Sequence, residues 1–311
     1  MTSSLYQRIQ HFYDSSSNLW EQIWGEHMHH GYYGADGSQP KERRQAQIDL
    51  IEELLHWADI QTAEKTLDVG CGIGGSSLYL AEKLTAQVTG ITLSPIQAQR
   101  AIARAKEAGM DEGEKIGGWH DEIIASPTPN PQPLIPTPIF QVADALNMPF
   151  ADRRFDLVWS LESGEHMPDK LKFLQECYRV LQPGGTLMLA TWCHRSTEAS
   201  PLTASERRHL EKIYQVYCLP YVLSLSQYAA IARSVGFQQI RTADWSTAVA
   251  PFWNDVISSA FSPSAVLGLL RSGWSTIQAA LSLGLMRQGY DRGLICFGLL
   301  CATRPVEEQA P

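Results

Sequence analysis

The chain has no basic block. Its 25 lysines and arginines are scattered and outnumbered by 33 acidic residues, for a formal net charge of −8. It therefore lacks the row of cations that neutralises phosphates, which excludes a nucleic-acid partner. The six cysteines, at 71, 177, 193, 218, 296 and 301, form no C-x-x-C pair and no metal-ligand spacing. They read as reduced core thiols of a cytoplasmic protein that holds no metal. No apolar run is long enough to span a bilayer. The opening Met-Thr-Ser-Ser-Leu-Tyr-Gln-Arg lacks the apolar centre of a leader, so no targeting peptide is expected. What is present is ordinary for a globular protein, 44% hydrophobic and 19% charged over 311 residues. That length suits one large α/β domain with an insertion, or two smaller domains.

The most informative segment is Lys65-Thr-Leu-Asp-Val-Gly-Cys-Gly-Ile-Gly-Gly75. The apolar run Thr66 to Val69 meets Gly70, Gly72, Gly74 and Gly75, and a helical pattern continues from Ser76 to Leu84. This reads as a buried strand, a tight glycine turn and a helix, the arrangement that brings backbone N–H groups against a cofactor. Asp68 sits at the strand end, where a carboxylate is costly to bury unless a cation or a donor meets it.

Around this motif, Lys41 to Trp57 has the apolar stripe of an amphipathic helix. Gln87–Leu93 reads as a second strand, and Ser94-Pro95 starts a helix with Ser as N-cap and Pro at the first position. The stretch 126–138 carries six prolines and reads as an exposed insertion, 110–138 in all. Strands follow at 139–143, 155–160 and 186–191, with a helix at 168–181 ended by Gln182-Pro-Gly-Gly185. Residues 196–290 read as mostly helical, and 293–301 as a closing strand. Strands alternating with helices of this length imply a doubly wound, mainly parallel sheet. The expected organisation is an N-terminal helical lid over 1–60, a core over 61–195, a helical cap over 196–290, and a closing strand and tail over 291–311.

Gly70-x-Gly72-x-x-Gly75 also fits the dinucleotide fingerprint. Two features oppose a nicotinamide oxidoreductase. Asp68 would repel a pyrophosphate, and the acid expected about 20 residues on is absent, its place being Ile91-Thr92-Leu93. S-adenosylmethionine has no phosphate, and its ammonium suits Asp68.

On these residues the chain resembles the class I S-adenosylmethionine-dependent methyltransferases. Gly90-Ile-Thr-Leu-Ser-Pro-Ile-Gln97 is similar to the variant of cyclopropane synthases and sterol-type C-methyltransferases. Phe12-Tyr-Asp-Ser-Ser, Trp24-Gly-Glu-His-Met-His-His-Gly-Tyr-Tyr-Gly34, Trp159-Ser-Leu-Glu-Ser-Gly-Glu-His-Met-Pro168, Ala190-Thr-Trp-Cys-His-Arg195 and Asp244-Trp-Ser246 resemble the tocopherol C-methyltransferases over nearly the whole chain. The Pro-rich segment is the main departure.

The resemblance implies a seven-stranded α/β sheet, mainly parallel with an antiparallel last strand. It implies S-adenosylmethionine as co-substrate, held by Asp68, Val69, Gly70, Cys71, Gly72, Thr92, Leu93, Ser94, Gln97, Asp144, Ala145 and Ser160. Thr92, the Leu93–Ser94 backbone and Gln97 would serve the ribose, and Asp144 the adenine amino group. The implied reaction is methylation of a chromanol ring carbon ortho to a phenol, converting gamma- to alpha- or delta- to beta-tocopherol. Another prenylated phenol or benzoquinol, a sterol or an alkaloid is the alternative acceptor. After methyl transfer the ring must lose a proton. His166, Glu162 and His30 are the catalytic candidates, with His166 as base; His29 and His194 are further histidine candidates. Glu26 and Glu165 read as surface or structural. Trp24, Trp192 and Trp245 are either pocket wall or core. The apolar segment 252–290, with Arg271, Arg287 and Arg292 interspersed, is either the wall of a substrate pocket or an interfacial surface in peripheral contact with a membrane.

Overall fold

The computed structural model describes residues 5–10, 13–14, 21, 24–110, 135–260 and 274–306. Most of the Pro-rich insertion and Arg271 lie outside the described residues. The elements in chain order are α1 (Arg43–Trp57), β1 (Lys65–Val69), α2 (Gly75–Leu84), β2 (Gln87–Thr92), α3 (Pro95–Glu107), β3 (Ile139–Val142), β4 (Phe155–Leu161), a 3-10 turn (Gly164–His166), α4 (Lys170–Val180) and β5 (Leu181–His194). They continue with α5 (Ala204–Val216), α6 (Leu225–Val235), β6 (Gln238–Asp244), α7 (Ser246–Val249), α8 (Phe252–Ala260), α9 (Trp274–Asp291) and β7 (Ile295–Thr303).

The seven strands form one sheet in the order β3-β2-β1-β4-β5-β7-β6. The pairs among β1 to β5 are parallel, and β7 runs antiparallel to both β5 and β6. Side chains alternate across the sheet as the two-residue period requires. In β4, Leu157, Trp159 and Leu161 enter the core shared with α1, α8 and α9. Val158 enters the core shared with α4 and α6, and so does Phe155, because the register shifts between Phe155 and Leu157 and breaks the alternation there. Both faces are covered, so the strands read as near-continuous apolar runs. In α1, Leu50, Ile51 and Leu54 are fully buried, each contributing about 1.5–3 kcal/mol relative to an exposed position. Ser94 caps α3 through the Gln97 amide, with Pro95 at the first helical position.

Residues 196–290 are not an uninterrupted helical insertion. They contain β6, which completes the sheet, and α6, which packs on α4. The strand escaped the sequence reading because Gln-Gln-Ile-Arg-Thr-Ala-Asp lies at the sheet edge and buries none of its residues fully, leaving no apolar alternation. No helix among the described residues is long and apolar enough to cross a membrane.

The chain leaves β1 for β2 and β3 on one side, then returns to β4 on the other. Strand order therefore reverses between β1 and β4. The carboxyl ends of those two strands flank the crevice in which open α/β sheets bind ligands.

Candidate active site

The loop after β1 forms one wall of this crevice. Gly70 has φ +81 and Gly72 has φ +55, a region that L side chains enter only with strain. A Cβ on Gly70 would lie 2.2 Å from the Ser163 Cβ, whereas one on Gly72 would meet nothing within 4 Å. The first glycine lets the β1 and β4 loops touch; the second leaves open the space that both loops line. The amides of Gly70 and Cys71 both donate to the Ile91 carbonyl, at 2.8 and 3.0 Å, which fixes the turn.

Asp68 lines the same cavity although only 2% of it is exposed. The Ser77 hydroxyl donates to it at 2.6 Å, and no cation lies against it among the described residues. Burial pushes its carboxyl up to about 7 despite that hydrogen bond. A cationic ligand group in the cavity would supply what the carboxylate lacks.

At the end of β2, Thr92 Oγ1 donates to Gln97 Oε1 at 2.8 Å and accepts from the Ser94 amide at 3.2 Å. Thr92, Leu93 and Gln97 line the cavity. Ser94 does not: its hydroxyl caps α3 and donates to Asp14 from the N-terminal segment. Asp144 also lies outside the cavity wall, with Oδ1 accepting from the Leu146 amide at 2.8 Å and from the Tyr6 hydroxyl at 3.4 Å. Val69 and Ala145 are core residues. Ser160 is buried behind Ser163, whose hydroxyl donates to the Val69 carbonyl at 2.7 Å.

The loop after β4 forms the opposite wall. Glu162 is held at φ +53, a costly conformation for a residue other than glycine and one that clusters at functional sites. Its Oε1 accepts from the His30 amide at 2.6 Å; its Oε2 lies 2.8 Å from His30 Nδ1 and accepts from Trp192 Nε1 at 3.1 Å. Burial alone would push this carboxyl up, but the charge and hydrogen bonds of His30 outweigh it and hold Glu162 below the usual range. His30 itself is fully buried among Phe252, Trp253, Tyr290 and Phe297. It lines neither cavity of the site and stands behind Glu162. His166 is half-buried, with Nε2 at 2.6 Å from the Tyr13 hydroxyl. Burial, then the Lys170 charge, push it down to about 3. It is therefore uncharged near pH 7, with its ring at the junction of the site.

A second cavity adjoins the first. Tyr13, Met28, Glu162 and His166 line both, while Trp24, Glu165, Trp192 and Tyr217 line only the second. Glu165 is thus neither a surface residue nor remote: it is 1% exposed, and its Oε2 accepts from the Thr191 hydroxyl at 2.7 Å. Burial and then the Glu162 charge push it up to about 7.

The N-terminal segment closes over this junction. Gln47 Nε2 donates to the carbonyls of Trp24 at 3.0 Å, His29 at 2.8 Å and His27. The Arg104 guanidinium donates to the carbonyls of Glu26 at 2.7 Å and Ile73 at 3.1 Å, tying this segment to the glycine loop. His29 lines the first cavity. Its Nδ1 lies 2.7 Å from the His30 carbonyl, and its Nε2 has no hydrogen-bond partner among the described residues. His194 faces the Arg195 carbonyl, and Trp245 packs on Tyr32 and Trp57, both away from the two cavities. The Glu26 side chain is half exposed and pairs with Arg44. Arg287 lies near Asp291 on the outer face of α9.

The structure thus gathers Asp68, Gly70, Cys71, Gly72, Thr92, Leu93, Gln97, Glu162 and His166 around one space. Ser163, Asp14, Tyr13 and Glu165 were not singled out from the sequence as site residues. Ser163 and Glu165 stand within the Glu162–His166 motif, so their spacing carried a signal. Tyr13 and Asp14 are brought in from about 80 to 150 residues away, and no local pattern announces that.

A family model described as a methyltransferase domain matches residues 67–189, and one described as mycolic acid cyclopropane synthetase matches residues 2–122. The chain is 44% identical to the chloroplastic tocopherol O-methyltransferase of Arabidopsis thaliana, over 98% of this chain and 84% of that protein. It is 32% identical to the 2-methyl-6-phytyl-1,4-hydroquinone methyltransferase of Synechocystis, over 95% and 86%. Among solved structures, geranyl diphosphate C-methyltransferase of Streptomyces coelicolor superposes with a TM-score of 0.69 at 18% identity, covering 96% of this chain and 97% of that one. The cyclase SpnF superposes with a TM-score of 0.74 at 23% identity, covering 97% of each chain. These two share the fold, and their differing reactions show that the fold does not choose the chemistry.

Proposed function

The chain belongs to the tocopherol-type class I S-adenosylmethionine-dependent methyltransferases, and we propose that its acceptor is the chromanol ring of a tocopherol, methylated on a carbon ortho to the phenol. The observation that carries this reading is the pair of cavities joined at Tyr13, Met28, Glu162 and His166. One holds the donor. The other has the aromatic walls Trp24, Trp192 and Tyr217 and an acidic end, which suit a flat ring bearing a hydroxyl.

The donor fits the first cavity on its own terms. Asp68 is a buried carboxylate without a cation, and the bare Cα of Gly72 leaves the space open. Asp68 would take the cofactor ammonium, and Thr92 and Gln97 the ribose hydroxyls. Asp14, held on Ser94 at the end of β2, stands where the sequence lacks the usual acid and would assist them. When bound, the cofactor supplies an electrophilic methyl on a sulfonium. Around it, Glu162 and His166 face the junction, so the ring carbon is presented between them. Glu162 takes the ring proton, its carboxylate kept ionised by His30. The tryptophans exclude water from the second cavity. Orientation of ring and methyl supplies much of the acceleration, and the base about 10²–10⁴-fold more.

The Arabidopsis relative is named for O-transfer, so the position of the new methyl is the decisive measurement. The enzyme, supplied with labelled S-adenosylmethionine, is given gamma- and delta-tocopherol and 2-methyl-6-phytyl-1,4-hydroquinone, and the products are located by NMR. A new ring-carbon methyl with kcat/KM favouring the tocopherols is expected. A methyl ether, or preference for the hydroquinone, would overturn the reading.

A further inference from the structure

We propose that Glu165 is a second catalytic carboxyl, which receives the phenolic proton of the acceptor and returns it after the ring has been methylated, while Glu162 takes the ring proton. The inference rests on the ring-carbon reading above.

The two carboxyls hold different places. Glu162 lines both cavities and therefore stands at the junction where the methyl passes. Glu165 lines only the second, so it faces the part of the acceptor that the donor does not reach. Its Oε2 is engaged as acceptor by the Thr191 hydroxyl, and its own backbone amide also donates to the carboxyl. The carboxyl lines the cavity wall, where a proton can reach it. The turn that carries Glu165 is rigid, because Lys170 Nζ donates to the carbonyls of Gly164 and Glu165, both at 2.8 Å. The lysine holds the backbone and leaves the carboxyl oxygens to Thr191 and the cavity.

The charged and titratable groups around Glu165 come from every neighbouring element. Glu162 and His166 share its loop, Lys170 opens α4, Cys193 lies on β5 and Tyr228 on α6; Tyr13 comes from the N-terminal segment and Tyr290 from the end of α9. Burial and Glu162 bring the carboxyl to about 7, against about 3 for His166. A proton acceptor works best when its pKa is near the working pH, and paired acids with divergent environments mark the division of acid–base roles.

The steps balance. The Glu165 carboxylate takes the phenolic proton as the ortho carbon forms its bond to the methyl; the methyl–sulfur bond breaks and its electron pair stays on sulfur. The neutral dienone gives its ring proton to Glu162, and the ring electrons return toward oxygen, which takes back the proton from Glu165. One proton remains on Glu162 and passes to solvent.

Glu165→Gln keeps an oxygen for Thr191 and cannot carry the proton. Its kcat is expected to fall about 10²–10⁴-fold, with the acceptor KM and the cofactor Kd by calorimetry within about twofold of wild type. The rise of kcat/KM with pH through about 7 should vanish. Fluorinated acceptors whose phenol is already ionised at neutral pH should recover most of the lost kcat in the variant and speed the wild type little; a structural role would give no such rescue. Thr191→Val, which leaves the carboxyl in place, should shift the limb to higher pH. Wild-type turnover in Glu165→Gln, an unmoved limb in Thr191→Val, or no rescue by acidic phenols would each overturn the proposal. A wild-type enzyme that methylates no phenol, or methylates its oxygen, would instead refute the ring-carbon reading.

Discussion

Glu162 grips His30 twice, accepting from its backbone amide at 2.6 Å and meeting its Nδ1 at 2.8 Å, with both side chains almost wholly buried. Removing one member of such a pair strands the other in a medium that cannot solvate it, at a cost of about 3–5 kcal/mol. His30→Phe is therefore expected to lower the urea midpoint sharply and also to reduce turnover, although His30 touches neither cavity. Adding Glu162→Gln to that variant should restore part of the stability, because no buried charge remains, and none of the activity. Since Glu162 is held below its usual value, the wild-type pair contributes fully above about pH 4.3 and is lost as the pH falls through the folded-state value. Single and double variants of equal stability would refute the coupling.

Asp68 has the opposite sign. Its folded pKa is raised by burial to about 7, so ionising it opposes folding, and that cost grows as pH rises from its unfolded value toward 7. A bound ammonium offsets it. Cofactor affinity should therefore increase between about pH 6 and about pH 7.5, and calorimetry on Asp68→Asn should give weaker binding with that dependence gone. An unchanged Kd in the variant removes Asp68 from the ammonium site.

Gly72 and Gly109 make a controlled pair. Both have positive φ, +55 and +74, and an added Cβ would meet nothing within 4 Å at either. Alanine should cost each about 1–2 kcal/mol of backbone strain. Only at Gly72 does the methyl also enter the first cavity. Gly72→Ala should therefore weaken S-adenosylhomocysteine binding at least about tenfold, and Gly109→Ala should leave binding alone. Equal binding losses would show that the open space at Gly72 is not ligand space.

Asp14 is expected to contribute to cofactor binding through the end of β2, where it accepts from Ser94. Asp14→Ala should raise the cofactor Kd about tenfold, the scale of a hydrogen bond to a charged group. Gln97→Ala, at the same strand end, should have an effect that is less than additive with it. Full additivity would place the two residues at independent points.

The glycine turn, the strand before it and Asp68 were legible in the sequence because each depends on local chemistry: a positive φ, an apolar run, and a carboxylate out of place. The same holds for the Ser94 cap. Strand β6 was not legible, since an edge strand buries too little to force an alternation.

Roles within the site were decided by tertiary structure. His30, His166 and Glu165 are a histidine, a histidine and a glutamate in similar motifs, and nothing in the string separates them. Packing sends His30 behind Glu162 among aromatic rings, leaves His166 neutral beside Tyr13, and turns Glu165 into the second cavity. Burial and the charges of neighbours distant in sequence then fix how readily each holds a proton. The sequence by itself determined the scaffold and the cofactor loop, because backbone conformation and hydrophobic period are local. Which side chain handles which proton depends on desolvation and on groups brought together from afar, His30 and Glu162 across 132 residues of chain and Tyr13 and His166 across 153, and only the folded molecule sets those.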